Sequence, residues 1–213
     1  MRYLGLFFLM LSVFVHASFA NPSVFVHASF ANPMDKVVFD YYTENIQENV
    51  LVQNVFSLLL KGNAVTQKWS DDRLRVENQK WQRDLENHNF EAFKRIASHE
   101  VSLLAGRIKV LMNGGVYNVT FLDKKGVTVA ASDILQQFYF GDEVGEMKSE
   151  GREFWVQDVM YNQDSREFET VAFFALNNKK DTLGYLRVSF DSEELDRLLY
   201  NHKNVKEDLN GQR

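Results

Sequence analysis

The feature that most constrains this chain is a change of hydrophobic period at Asn113-Gly114-Gly115. Before it, apolar residues recur at helical spacing; after it, they alternate in short runs separated by turn residues. A helical half followed by a run of strands predicts an α+β fold, with helices layered on one sheet rather than threaded between parallel strands. Strands are expected at Tyr117–Leu122, Val127–Ala131, Phe154–Tyr161, Phe168–Leu176 and Leu183–Phe190. Asp123-Lys124-Lys125-Gly126, Asn162–Ser165 and Asn177–Asp181 form the turns. Such short connections imply an antiparallel meander of five strands.

The helical half opens with Asn32-Pro33 and Asp35, a capping side chain, a proline where its missing N–H does no harm, and a carboxylate at the positive end. One long helix is predicted from Met34 to Lys61, ended by Gly62-Asn63. Its first half is amphipathic, and its stripe of Phe39, Tyr42 and Ile46 is expected to project as an apolar face for a partner helix or a homodimer. Two further helices are predicted over Ser70–Glu86 and Phe90–Met112, with Trp69, Leu74, Trp81 and Leu85 as packing residues. A closing helix follows from Asp191 to His202, capped by Asp191 or Ser192.

The N-terminus differs from the rest. Arg2 is its only charge, Leu4 to Val15 is an apolar run, and Ser18-Phe19-Ala20 places small residues after it, the pattern of a secretory signal peptide. The run is too short to span a bilayer. "SVFVHASFANP" occurs twice, at 12–22 and 23–33, a duplication that repeats the processing signal. Cleavage after Ala20, or after Ala31, leaves one domain over residues 34–203 (helical 34–112, sheet 117–190, closing helix 191–203) and a tail over 204–213. An exported chain without cysteine stands on its core alone, and 45% hydrophobic residues supply one. A net charge of −5 disfavours nucleic acid and anionic membrane as partners.

The catalytic inventory is thin. His88, His99 and His202 lie far apart in sequence, no cysteine is present as a nucleophile, and His99-Glu100 lacks the second histidine of a zinc-binding helix. No glycine loop for phosphate and no Gly-x-Ser-x-Gly elbow occurs. The expectation is a binding protein, without cofactor or metal.

Residues 117–190 resemble the periplasmic PDC or Cache sensor domain, a PAS-like sheet preceded by a long helix, in its free-standing exported form. The resemblance rests on the hairpin "FLDKKGVTVAASD", the loop "FYFGDE", the hairpin "DVMYNQDSREFETVAFFAL", the strand "LGYLRVSFD" and, upstream, "ENQKWQRD" around Trp81. It implies sensing of a small molecule of the amino acid, amine or small carboxylate class. It also implies that the 134–143 loop, carrying Phe138, Tyr139 and Phe140, lies over the sheet as a lid. Where those relatives often read Asp-Tyr-Trp-Gln, this chain reads Gln137-Phe138-Tyr139-Phe140. Candidate ligand residues are Tyr139 and Asp142 in the lid, and Trp155, Asp158, Tyr161 and Arg187 on the strands.

Each of these has a second reading. Arg187, between Tyr185 and Ser189, suits a bidentate hold on a ligand carboxylate, or else a solvated face or a salt bridge to Glu169. Trp155 and Tyr161 suit a pocket wall or plain packing. Asp142-Glu143 orients the lid or caps a following helix. Asp158, if buried, needs a ligand amine or a Lys or Arg partner. The functional expectation is a periplasmic sensing subunit acting on an inner-membrane histidine kinase or cyclase. The alternative is an interaction or scaffold protein whose pocket Phe138, Phe140 and Phe173 fill themselves.

Overall fold

A computed structural model describes residues 33–50, 53–112, 114–162, 167–178, 181–197 and 200. The signal peptide and its duplicated cleavage region, His202 and the tail lie outside them. The chain order is α1 (Pro33–Asn45), α2 (Gln47–Val50), α3 (Gln53–Thr66), α4 (Asp71–Glu86), α5 (Glu91–Ala97), α6 (Glu100–Leu111), β1 (Val116–Asp123), β2 (Thr128–Ala131), α7 (Gly141–Ser149), β3 (Phe154–Val156), β4 (Met160–Asn162), β5 (Glu167–Asn178) and β6 (Asp181–Asp191). All pairings are antiparallel, in the order β2-β1-β6-β5-β3, with β4 on β5 beside β3. The α+β layout predicted from the change of period is present, with six strands rather than five among the described residues. The run read as one strand over 154–161 breaks at 157–159 into β3 and β4, so that two short strands share one side of β5.

Strand alternation gives the sheet two unlike faces. Val119 and Phe121 of β1, Leu186, Val188 and Phe190 of β6, and Ala172, Phe174 and Leu176 of β5 form one side of a continuous core with the N-terminal helices. There α1 lies against β3, α3 over β1 and β6, and α6 over β1 and β2. On the other face Leu122, Val171, Phe173, Ala175 and Tyr185 make a smaller cluster with Leu135, Phe140, Val144 and Met147 of the crossing loop and α7.

The expected single long helix is interrupted by a turn at Ile46, with α1 before it and α2 and α3 after it. Its apolar stripe does not project. Tyr42 is 1% exposed and Ile46 0%. The Tyr42 ring stacks on Phe174 at 3.8 Å, and Phe39 meets Phe154 edge-on at 5.5 Å. The sheet takes up the stripe that a partner was expected to cover, Phe174 receiving Tyr42 and Phe154 receiving Phe39.

Gly62-Asn63 is not a stop either. The helix continues to Thr66, and a Cβ at Gly62 would sit 2.6 Å from Val129 Cγ1, so the glycine admits the β1–β2 hairpin. Asn63 donates to the Leu183 carbonyl at 2.7 Å and accepts from the Lys124 amide at 2.8 Å. The predicted 90–112 helix divides at Ser98-His99, where His99 Nδ1 accepts from the Val101 amide and starts α6. Capping at Asp191 is as read, its Oδ1 accepting from the amides of Glu193 and Glu194, and α4 is capped by Ser70, whose Oγ accepts from the Arg73 amide. Gly184 lies where a Cβ would stand 2.2 Å from the Leu122 carbonyl, so only glycine lets β6 close on β1 there.

The Tyr42 hydroxyl is buried and has no hydrogen-bond partner, and burial raises its pKa. Removing an unsatisfied hydroxyl while keeping the ring recovers a desolvation cost, whereas removing the ring opens a cavity. Tyr42→Phe is expected to raise unfolding free energy by about 1 kcal/mol, and Tyr42→Ala to lower it by about 3–5 kcal/mol. Urea denaturation followed by far-UV circular dichroism measures both.

Candidate functional site

The second face of the sheet is only partly covered, and what covers it is built from the turn after β1. Asp123, 0% exposed, accepts from the amides of Lys125 and Val127 at 2.8 and 3.0 Å through Oδ1, and its Oδ2 takes the Thr66 hydroxyl. Gly126 then turns with φ +86°, where a Cβ would meet the Phe140 carbonyl at 2.7 Å. The Gly126 carbonyl accepts from the Phe140 amide, the Thr128 amide donates to the Phe138 carbonyl, and Val127 bridges Tyr139. Residues 138–140 are thereby tied beside residues 126–128 at the start of β2, closing the segment 132–140 as a strap.

The strap is tied to the helical layer as well. Asn78 Oδ1 accepts from the amides of Phe138 and Tyr139 at 2.7 and 3.1 Å, and Trp81 Nε1 donates to the Leu135 carbonyl at 2.8 Å. Lys109 reaches both carboxylate oxygens of Asp133 at 2.9 Å. Three adjacent rings therefore go three ways. Phe138 stacks on Trp81 with centroids 5.5 Å apart. Tyr139 lies against Gly141 and toward Asp71 at the start of α4, its pKa raised by burial and by the charges of Asp71 and Asp142. Phe140 alone covers the sheet, 3% exposed.

Beside Phe140 the sheet is open, in a cleft of about 610 Å³ walled by Leu135 and Gln137 of the strap, Asn118 of β1, Tyr161 of β4, Glu169 of β5 and Arg187 of β6. Arg187 sits mid-sheet between Thr120 and Phe173. Its guanidinium carbon lies 4.9 Å from the Phe140 ring centre, and Nη1 donates to Ser189 Oγ at 3.0 Å. Burial drives its pKa down to about 10, against the upward pull of Glu169 and Glu143. Among the described residues no carboxylate lies within ion-pairing distance of it. The salt bridge to Glu169 is not formed, and Glu169, 9% exposed, accepts from Asn162 Nδ2 at 2.7 Å instead. Asn118 is also 9% exposed, and its Oδ1 accepts from the Thr120 hydroxyl at 2.6 Å. The arrangement presents a partly buried cation, an acid and an amide around one apolar-floored space, which suits polar recognition of a small molecule.

Of the six ligand residues predicted from sequence, Arg187 and Tyr161 line this cleft and four do not. Tyr139 faces α4, for the reason given. Asp142 is exposed in the first turn of α7, where with Glu143 it meets the positive end of the helix; the N-cap residue is Phe140, which makes no side-chain cap. Trp155 packs at 5.6 Å on Phe173 at the rim of the smaller cluster. Asp158 is exposed in the break between β3 and β4. Reading 154–161 as one unbroken strand put Trp155, Tyr161 and Asp158 into a single alternation, and the break removes it. Asn118 and Glu169 were missed. Each stands two or four residues from an apolar inward position on its strand, and their shared face with Arg187 appears only once strand register is known.

Among the described residues no group of His, Asp or Glu side chains is arranged to hold a metal ion, and no helix is long and apolar enough to cross a membrane. No family model matches the chain, and no curated protein does. Solved structures similar to it include the sensory domain of the Campylobacter jejuni chemoreceptor Tlp3 with isoleucine bound, 14% identical over 81% of this chain and 68% of that one, TM-score 0.35. Another is the extracellular domain of vpHK1S-Z8, named as a histidine kinase, 14% identical over 78% and 56%, TM-score 0.37. A third is the Bacillus subtilis YkuI protein with an EAL domain, 8% identical over 64% and 37%, TM-score 0.34.

Asn78 accepts from two consecutive strap amides. Asn78→Ala is expected to speed amide hydrogen exchange at Phe138 and Tyr139 about tenfold or more, for a lost interaction near 1.4 kcal/mol, and to leave β5 and β6 protected. Exchange measured by NMR reads both regions in one experiment.

Proposed function

We propose that this protein binds a small carboxylate-bearing metabolite, of the amino acid or short organic acid class, in the cleft between the strap and β4, and that it serves as a periplasmic sensing subunit for an inner-membrane histidine kinase or cyclase. Its role is binding rather than catalysis. The observation that carries this reading is Arg187, a mid-sheet cation stripped of much of its water, facing an open cleft and paired with no carboxylate among the described residues. Holding an unpaired guanidinium there costs free energy. A ligand carboxylate supplies the missing counter-charge with bidentate geometry. Glu169 and Asn118, across the same space, are placed for a ligand amine or hydroxyl. Leu135, Phe140 and Val171 of the smaller cluster wall this cleft without filling it, which favours a ligand site over a scaffold whose pocket its own rings close.

The experiment is a thermal-shift screen with amino acids, amines and short carboxylates on the wild type and Arg187→Met. A true ligand at a hundred times its dissociation constant adds about 2.7 kcal/mol, a shift of roughly 5–10 °C for a domain of this size. Arg187→Met is expected to melt at or above the unliganded wild-type temperature, since an apolar isostere relieves a buried charge, and to lose the carboxylate shift. Binding should also fall as pH rises through about 10, where Arg187 gives up its proton. A wild type that no carboxylate stabilises, or a variant that keeps the full shift, refutes the reading and restores the scaffold alternative.

A further inference from the structure

The two edges of the sheet are treated differently. The β2 edge is occupied by the strap, whereas the opposite edge, β3 and β4, has nothing beyond it among the described residues. Exposed edges are ordinarily blunted with lysine, proline or a cover, since their free N–H and C=O groups template another strand. Here Val159 is 51% exposed, Met160 48% and Tyr161 53%, with Phe168 of β5 52% exposed and edge-on to Tyr161 at 5.2 Å. Asp158 and Val159, in the break, belong to no ladder, and Asp158 makes no ion pair or hydrogen bond. Asp158 and Glu167 are exposed at this edge, and the sequence over 157–169 carries four acids, Asp158, Asp164, Glu167 and Glu169, against one base, Arg166.

We propose that this edge is the surface by which the protein engages its partner, and that the occupant is an extended segment of another protein, alternating apolar residues with a basic flank, which adds to the sheet beside β4. Backbone pairing supplies the affinity of such an added strand and alternate side chains supply the specificity. Apolar positions of the segment lie on Val159, Tyr161 and Phe168, and its basic flank meets Asp158. A second copy of this chain would bring a second Asp158 and Glu167 to an edge already acidic, which disfavours self-pairing. The inference rests on the proposed sensing role and deepens it. Met160 and Tyr161 line the ligand cleft as well as the edge, so ligand and partner share a wall, and by linkage each alters the affinity of the other by the same factor.

The test uses the mature chain and two synthetic eight-residue peptides of alternating Val and Thr, one flanked by lysines and one by glutamates, with calorimetry for affinity and hydrogen exchange for location. The lysine peptide is expected to bind and to protect the amides of Val159 to Tyr161. Asp158→Lys, an exposed substitution whose fold is checked by circular dichroism, should weaken that peptide at least tenfold and improve the glutamate one. Absence of binding, equal binding of both peptides by wild type and variant, or protection located elsewhere overturns the proposal. So does a dimer in sedimentation equilibrium that Phe168→Asp dissociates, which assigns the edge to a second copy. The metabolite screen is run on the same samples without peptide, so failure here with an intact carboxylate shift leaves the sensing role standing.

Discussion

The insertion of β6 between β1 and β5 governs this molecule. Hydrogen-bonded on both sides, β6 has one register, and that register sends Leu186, Val188 and Phe190 into the helical core and Tyr185, Arg187 and Ser189 to the far side. A slip of one residue would bury the guanidinium in the main core and expose three large apolar side chains. The cation is thus held in place by the packing of its neighbours in the chain, and Gly184 allows the close approach on which the register depends.

The strap turns that fixed face into a cleft. Its rings serve different elements, and the polar ties at Asn78, Trp81 and Lys109 are spread over α4 and α6. Rings alone would have collapsed together over the sheet and closed it. Distributing them leaves one, Phe140, on the sheet, and the space beside it stays open to Arg187.

The change of period at Asn113-Gly114-Gly115 was enough to read the α+β layout, and residue chemistry was enough for the helix cap at Asp191 and the hairpin turn at Asp123 to Gly126. These depend on local chemistry, and local chemistry is written in consecutive residues. What escaped depended on distant contacts. Gly62 reads as a helix stop, yet it is a gap for Val129, sixty-seven positions further on. The stripe of Phe39, Tyr42 and Ile46 reads as a free face, yet Phe174 and Phe154 receive it. Arg187 was legible as a site residue because a charged group interrupts an apolar strand, and Tyr161 because an aromatic ring with a polar tip suits a pocket wall, a signal Trp155 shares without reaching the cleft. Asn118 and Glu169 join them only through the register of strands far apart in sequence.

The Asp123 carboxylate spends one oxygen on the hairpin turn and the other on Thr66, at the end of α3. A loop that completes its own hydrogen bonds can be exchanged between homologues as a cassette, but this one cannot. Transplanting the hairpin without the end of α3 would leave one buried oxygen of Asp123 without its donor, so recombination between related chains must carry the two segments together or neither.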